Sequence, residues 1–215
     1  MRLSKGNIAA IVILAIIIVD QFSKMWVKTH FFYGEEVVIT EWFRLLFIEN
    51  NGMAFGMQII NKLILTIFRI VMGGFFIYYI WKIKDRETVK MGYIVSVALI
   101  TAGTIGNALD CTFYGLFFNE PSYPYVASFF PEGGGYASLF YGRVVDMLYF
   151  PLAEWNWPSW LPFVGGEHFV FFQPIFNIAD SSLCVGVVIL ILFYSKYLST
   201  PINEQKDEDK NKIQQ

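Results

Sequence analysis

Long apolar runs alternate with polar and charged segments along the chain. Four runs are long enough to be membrane spans, because a helix needs about 20 mostly apolar residues to cross the hydrocarbon core of a bilayer. They cover residues 7–26, 63–81, 91–109 and 175–197. The pattern predicts an all-α membrane fold in which residues 1–200 form a single integral membrane domain. Residues 201–215 are polar and charged, which predicts a disordered cytoplasmic tail.

The first run follows basic residues, as the core of a secretory signal does. No small-residue cleavage site comes after it, and the next residues are Asp20-Gln21-Phe22-Ser23-Lys24. We therefore expect a retained helix that carries Asp20 into the membrane.

Lysine and arginine residues predict the orientation of the spans, because they are retained on the cytoplasmic side. Basic residues lie before the first run, between the second and third, and after the fourth: Arg2, Lys5, Lys82, Lys84, Arg86, Lys90, Lys196, Lys206, Lys210 and Lys212. Residues 111–173 contain Arg143 and no lysine. Both termini are therefore predicted to be cytoplasmic, and residues 27–62 and 111–173 to lie outside.

The two predicted outer segments differ in pattern. Residues 27–62 alternate apolar and polar side chains around Glu36–Glu41 and then contain Asn50-Asn51-Gly52, which predicts a small β-rich segment with a turn. Residues 111–173 form a long aromatic loop. Tryptophan and tyrosine favour the membrane–water boundary, so we expect this loop to lie on the outer leaflet.

Composition supports a membrane protein. Hydrophobic residues make up 55% of the chain and charged residues only 16%, whereas soluble domains carry about 25% charged residues. The net charge of −2 gives no reason to expect nucleic acid binding. The two cysteines, Cys111 and Cys184, form neither a disulfide framework nor a metal-ligand motif. We expect no metal and no cofactor.

Four aspartates approach the predicted outer boundary of the membrane. An ionisable residue within a span is costly, so each is a functional candidate. Asparagines and an arginine of the second span lie at the same predicted depth. These polar residues are Asp20, Asp110, Asp146, Asp180, Asn50, Asn107, Asn177 and Arg69.

Each aspartate also has a structural explanation. Asp20 and Lys24 lie one helical turn apart and are able to neutralise each other. Asp110 ends a span, where the arginine of the second span is able to hold it, and Asp180 fits the positive end of a helix dipole. Asp146 is the hardest to explain structurally, because it interrupts the apolar string at residues 144–148.

Five short motifs together resemble those of lipoprotein signal peptidases, also called signal peptidase II. The resemblance covers roughly residues 8–197 and implies that Asp146 and Asp180 form the catalytic pair. It implies supporting roles for Asp20, Asn50, Gly52, Asn107, Asp110 and Asn177. Lys24 is a further supporting candidate because it shares a helix face with Asp20. The motifs are Asp20-Gln21-Phe22-Ser23-Lys24, Asn50-Asn51-Gly52-Met53-Ala54-Phe55-Gly56, Gly103-Thr104-Ile105-Gly106-Asn107-Ala108-Leu109-Asp110, Gly142-Arg143-Val144-Val145-Asp146 and Pro174-Ile175-Phe176-Asn177-Ile178-Ala179-Asp180.

The chain departs from the family pattern directly after Asp110. The family usually has arginine at this position, and this chain has Cys111. We hypothesise that Arg69 or Arg143 takes the place of that arginine.

The resemblance implies a membrane aspartic endopeptidase that removes signal peptides from diacylglyceryl-modified prolipoproteins, cutting before the lipidated cysteine. It implies a multi-pass protein of the bacterial cytoplasmic (inner) membrane with its active site at the outer face. Its partners would be prolipoprotein substrates and membrane lipid, and we expect a monomer. The alternatives are a proton-coupled carrier that uses intramembrane carboxylates, and a membrane scaffold without enzymatic activity.

Overall fold

The structure is a computed structural model that describes residues 3–50 and 61–199. The helices are α1 (Lys5–His30), α2 (Lys62–Ile83), α3 (Met91–Leu109), a π-helical turn (Asp110–Tyr114), α4 (Gly115–Phe117), α5 (Ile178–Tyr194) and α6 (Lys196–Ser199). The strands are β1 (Glu36–Thr40), β2 (Phe43–Asn50), β3 (Val144–Tyr149), β4 (Ala153–Asn156), β5 (His168–Phe171) and β6 (Ile175–Phe176).

The chain divides into two compact units. The helical unit comprises the described parts of Met1–Asp20, Ile67–Ala108 and Ala179–Gln215, and the sheet unit those of Gln21–Thr66 and Leu109–Ile178. The predicted tail at 201–215 lies outside the described residues.

Helices of membrane-spanning length confirm a multi-pass membrane protein. Within the described residues, three stretches are long and apolar enough to cross a bilayer: Lys5–His30, Lys62–Ile83 and Met91–Phe117. Large apolar side chains are exposed along the helices, including Ile18 (65% exposed) and Phe193 (73%). Such a surface is unfavourable in water but suits contact with acyl chains.

The fourth predicted span is shorter than expected. Its helix, α5, has 17 residues, so it is about 26 Å long at about 1.5 Å per residue. The hydrocarbon core is about 30 Å thick. The prediction placed Ile175 and Phe176 in this span, but they form strand β6. A short apolar string fits a buried strand as well as a helix, which is why the pattern did not separate them.

The third helix continues beyond its predicted end. Asp110 was expected to end the span, but the chain continues through the π-helical turn and α4 to Phe117. The sequence from Cys111 to Phe118 contains no proline, and Pro121 is the next one. The first helix is also longer than predicted and ends at His30 instead of residue 26.

The core of the helical unit lies between helices packed at close range. A Cβ atom added at Gly103 would lie 2.3 Å from the carbonyl oxygen of Ala179, and one at Gly186 would lie 2.7 Å from that of Ser96. Small residues of this kind let helix backbones approach in membranes. The buried apolar side chains of the unit come from α1, α2, α3 and the link between α2 and α3: Ala9, Ile80, Ile83, Val89, Tyr93, Ile94, Val97 and Ala98.

The sheet unit contains more β-structure than predicted. Its four-stranded sheet has the order β1-β2-β3-β6, and every neighbouring pair is antiparallel. Strand β3 comes from the segment that was predicted to be loop, and β4 and β5 form a separate hairpin. The buried apolar side chains of the unit are Val27, Phe31, Phe47, Tyr114, Phe118, Ala127, Val145 and Met147.

Candidate active site

Asp146 lies in the middle of strand β3. Its neighbours Val145 and Met147 belong to the apolar core of the sheet unit, and alternate residues of a strand point to opposite faces. The Asp146 side chain therefore lies on the other face of the sheet, although the residue is only 1% exposed. Burial of a carboxylate is costly unless hydrogen-bond donors surround it.

Two asparagines supply donors to Asp146. The side-chain amide of Asn177 donates to Oδ1 at 2.7 Å, and that of Asn50 donates to Oδ2. Both asparagines lie at element ends, since Asn50 is the last residue of β2 and Asn177 directly precedes α5. The two amides fix the orientation of the Asp146 carboxyl group.

Asp110 holds the peptide that precedes Asp146. The backbone N–H of Val145 donates to Asp110 Oδ2 at 3.3 Å, and the Asn177 amide donates to the Val145 carbonyl at 3.2 Å. Asp110 is fully buried, and it begins the π-helical turn, a distortion that is frequent at functional sites.

Lys24 is the cation that pairs with Asp110. Its Nζ lies 2.8 Å from Asp110 Oδ2, and both side chains are fully buried. Gln21 donates from Nε2 to Asp110 Oδ1 at 2.8 Å, and it also accepts a hydrogen bond from the Tyr114 hydroxyl at 3.2 Å. Sequence reasoning missed Gln21 as a site residue. The available signal was its position between Asp20 and Lys24, inside a predicted span.

Asp180 lies in the helical unit, in the first turn of α5. A negative charge is favoured there by the helix dipole. The Asn107 amide donates to Asp180 Oδ1 at 2.7 Å. Asp180 is half-buried.

Asp20 holds the start of the same helix. Its Oδ1 accepts the backbone N–H of Ala179 at 2.8 Å, one of the N–H groups that have no partner within the helix. Asp20 is fully buried. Gly106 makes room for it, because a Cβ atom at this glycine would lie 2.8 Å from Asp20 Oδ2.

The two units hold their candidate aspartates by the same arrangement. In the sheet unit, Asp110 accepts the N–H of the residue before Asp146. In the helical unit, Asp20 accepts the N–H of the residue before Asp180. Asparagine amides then bind each candidate carboxylate directly. The backbone on the N-terminal side of each aspartate is therefore fixed by a buried carboxyl group.

The remaining predicted site residues have varied positions. Arg143 binds Glu120 through two contacts of 2.6 and 3.1 Å, and hydrogen bonding to Glu120 raises the pKa of Arg143. Arg69 lies half-buried on α2, and Gly52 lies outside the described residues. The hypothesis that Arg69 or Arg143 takes the place of the arginine that the family usually has directly after Asp110 stays a prediction.

Among residues 3–50 and 61–199, no group of three or more His, Cys, Asp or Glu side chains is arranged to hold a metal ion. Each unit supplies one carboxyl group bound by an asparagine amide, Asp146 in the sheet unit and Asp180 in the helical unit. Such groups are able to act as general acid and general base when their protonation states differ.

Comparison with known proteins identifies the family. The family described as signal peptidase (SPase) II matches residues 12–196. The chain belongs to the signal peptidase II family. A lipoprotein signal peptidase of Porphyromonas gingivalis is 45% identical over 205 residues, which is 95% of this chain and 90% of that protein. Another, of Amoebophilus asiaticus, is 32% identical over 197 residues, which is 89% of this chain and 79% of that protein.

Two solved structures of bacterial membrane enzymes share the backbone fold of this chain. A bacterial membrane enzyme determined by the in meso method at 2.3 Å resolution gives a TM-score of 0.59, with 22% identity and 90% of each chain covered. A second, at 1.9 Å, gives a TM-score of 0.56 with 22% identity and covers 86% of this chain and 91% of that one. The resemblance found in the five motifs is confirmed, and signal peptidase II membership confirms the predicted class of aspartic endopeptidase.

Proposed function

We propose that this chain removes signal peptides from diacylglyceryl-modified prolipoproteins by hydrolysing the peptide bond before the lipidated cysteine. Family membership over residues 12–196 supports this proposal, as do relatives named lipoprotein signal peptidase. The same findings do not favour the proton-coupled carrier.

In the proposed mechanism Asp146 and Asp180 act on one water molecule. One carboxylate is ionised and removes a proton from the water, whose oxygen attacks the scissile carbonyl carbon. The other is protonated, polarises the carbonyl oxygen and then protonates the leaving nitrogen. Two carboxylates that share a small site keep one proton between them, because ionising both is costly. The pair titrates as a unit, so the proton belongs to neither residue alone.

The environment of Asp146 is the observation that carries this assignment. A buried carboxyl group is costly unless hydrogen-bond donors orient and stabilise it. Asp146 is 1% exposed and receives amide hydrogen bonds from Asn50 and Asn177, one on each oxygen. This arrangement holds the carboxyl group in one orientation, as a proton-transfer group requires.

The proposed setting is a bacterial inner membrane. The apolar surface of the helices suits a bilayer, and the distribution of basic residues favours cytoplasmic termini and an outer active site. We propose that α5 completes a fourth span and that the protein works as a monomer. The acyl chains of the substrate would remain in the bilayer and present the scissile bond from the side.

Cleavage of a lipidated prolipoprotein peptide by the purified protein in lipid nanodiscs tests the proposal. Asp146→Asn and Asp180→Asn should each abolish cleavage while the protein remains folded. Asp85→Asn is the matched control, because the Asp85 side chain is 80% exposed and lies in the link between α2 and α3. If either site variant cleaves as fast as the Asp85 control, the proposed catalytic pair is wrong.

A further inference from the structure

A second buried ion pair lies in the sheet unit, separate from the one at Asp110. Lys28, near the end of α1, is fully buried, and its ammonium group binds Glu49 Oε1. The Glu49 side chain is also fully buried. Three aromatic rings surround the ammonium group at 5.1 to 5.9 Å from its nitrogen to the ring centroids, and they belong to Phe47, Phe118 and Tyr136.

Arg143 extends this pair to the start of strand β3. Its Nη1 lies 3.4 Å from Glu49 Oε2, while Glu120 binds its outer side. The backbone N–H of Arg143 donates to the Tyr136 hydroxyl at 2.7 Å. Glu49 therefore connects three parts of the unit, which are helix α1, strand β2 and the residue that directly precedes β3.

Lys28, Glu49 and Arg143 form an ionic bridge, and this bridge lies beside the groups that bind Asp146. Glu49 is aligned with Val145 across the sheet, and Asn50 with Val144. Asn50 is the last residue of β2 and donates to the Asp146 carboxylate. A strand end has fewer neighbours to fix it than a strand centre, so local opening is easiest there. An anchor at Glu49 restrains the residue that carries the amide donor.

Stability alone is a poor explanation for such a bridge. Removing two charges from water is costly, and replacing a buried ion pair with apolar side chains is often neutral or stabilising. The bridge does, however, fix geometry, because both Glu49 oxygens are bound from different directions. The ends of β2 and β3 are held together at the point where Asn50 and Asp146 lie.

We propose that Glu49 is a positioning residue for Asp146, and that the bridge of Lys28, Glu49 and Arg143 holds Asn50 where its amide reaches the catalytic carboxylate. The inference rests on the proposed role of Asp146. It gives Glu49 no contact with substrate, and its whole effect passes through Asn50.

The test removes both buried charges together, so that neither is left unpaired. The double variant Lys28→Met/Glu49→Gln should keep the thermal unfolding temperature of the unmodified protein. Its kcat for the lipidated peptide should fall about tenfold, the loss expected when about one hydrogen bond to a charged group is weakened. KM should be unchanged. Arg143→Gln, a partly exposed site, provides a second variant with the same expected pattern if the first does not fold.

A second step separates positioning from general support. In an Asn50→Ala background, adding Lys28→Met/Glu49→Gln should lower kcat by less than about twofold, because groups that act through one contact are not additive. The matched control is Arg44→Met/Glu154→Gln, which breaks an ion pair of 2.7 Å at the other end of β2 and should leave kcat unchanged.

The outcomes distinguish this inference from the proposed function. An unmodified protein that does not cleave the peptide overturns the proposed function and the inference with it. If the unmodified protein cleaves, full kcat in the folded bridge variant overturns the positioning role alone. So does a tenfold loss that persists in the Asn50→Ala background.

Discussion

Replacement of Gly106 by alanine should destabilise the helical unit and displace the first turn of α5. The added Cβ would lie 2.8 Å from Asp20 Oδ2 and 2.9 Å from the Ala179 Cβ. Contacts this short force a neighbour to move, and Asp20 is held between α3 and the N–H of Ala179. The expected structural result is a weakened hydrogen bond from Ala179 to Asp20 and a shifted first turn of α5, which carries Asp180.

The expected magnitude follows from three contributions. Overpacking a filled site costs about 1–3 kcal/mol. Losing a hydrogen bond to a charged group costs about 1.5–3 kcal/mol. The better helix propensity of alanine returns about 1 kcal/mol. The net loss in free energy of unfolding is therefore about 1.5–5 kcal/mol.

Thermal unfolding in detergent and peptide cleavage in nanodiscs measure both effects of Gly106→Ala. Gly74→Ala is the matched control, because Gly74 lies in α2 of the same unit and a Cβ atom there would have nothing within 4 Å. The control should be stabilised by about 1 kcal/mol and remain active. If Gly106→Ala unfolds at the same temperature as the control and cleaves equally fast, Asp20 does not hold α5 as described.

Three other changes test the sheet unit. Asn177→Ala removes two donated hydrogen bonds, to Asp146 and to the Val145 carbonyl, and should lower kcat at least about tenfold; an unchanged kcat would contradict the role of the amide. Lys24→Met removes one partner of the buried Lys24–Asp110 ion pair and should lower the free energy of unfolding by about 3–5 kcal/mol. A loss below about 1 kcal/mol, as for an exposed pair, would contradict this. Burial raises the pKa of Tyr136, so the folded state favours the neutral phenol. Stability from this group is present below its unfolded pKa of about 10 and falls as pH rises above it. Tyr136→Phe should therefore lose less stability than the unmodified protein between about pH 10 and 11, and equal losses would show that the shift contributes nothing.

The spans were predictable because membrane insertion depends on local composition. A long run of apolar residues is enough to indicate a membrane span, so α1, α2 and α3 follow directly from the sequence. The residues at which these helices end were harder to predict. The third helix continues past Asp110 because an aspartate alone does not end a helix, and no proline occurs before the helix ends at Phe117.

The sheet could not be predicted in the same way. Strand β3 pairs with β2, and Asp146 lies opposite Ile48, so the strand is stabilised by residues distant in sequence. Local periodicity carries no information about such a partner, and the segment was predicted to be loop. The motif identified Asp146 as a candidate, but its burial and its two amide donors depend on the sheet.

The supporting residues were only partly predictable. Lys24 was noted for its helical spacing from Asp20, which suggested a local pair, and that pair stays a prediction. The contact of Lys24 with Asp110 connects residues on different helices, so helical spacing could not predict it. Gln21 had no charge to single it out. Its role as a donor to Asp110 becomes visible only when the end of the third helix is brought against α1.

The pairing of Lys24 with Asp110 has a consequence for synthesis of the protein. The ribosome makes the aspartate about 86 residues after the lysine, a delay of roughly 4–17 s at about 5–20 residues per second. During that interval α1 is already synthesised, but the carboxylate that contacts Lys24 at 2.8 Å is not yet part of the chain. The Lys24–Asp110 contact therefore forms only after the chain has been synthesised past α3, long after α1 has been made.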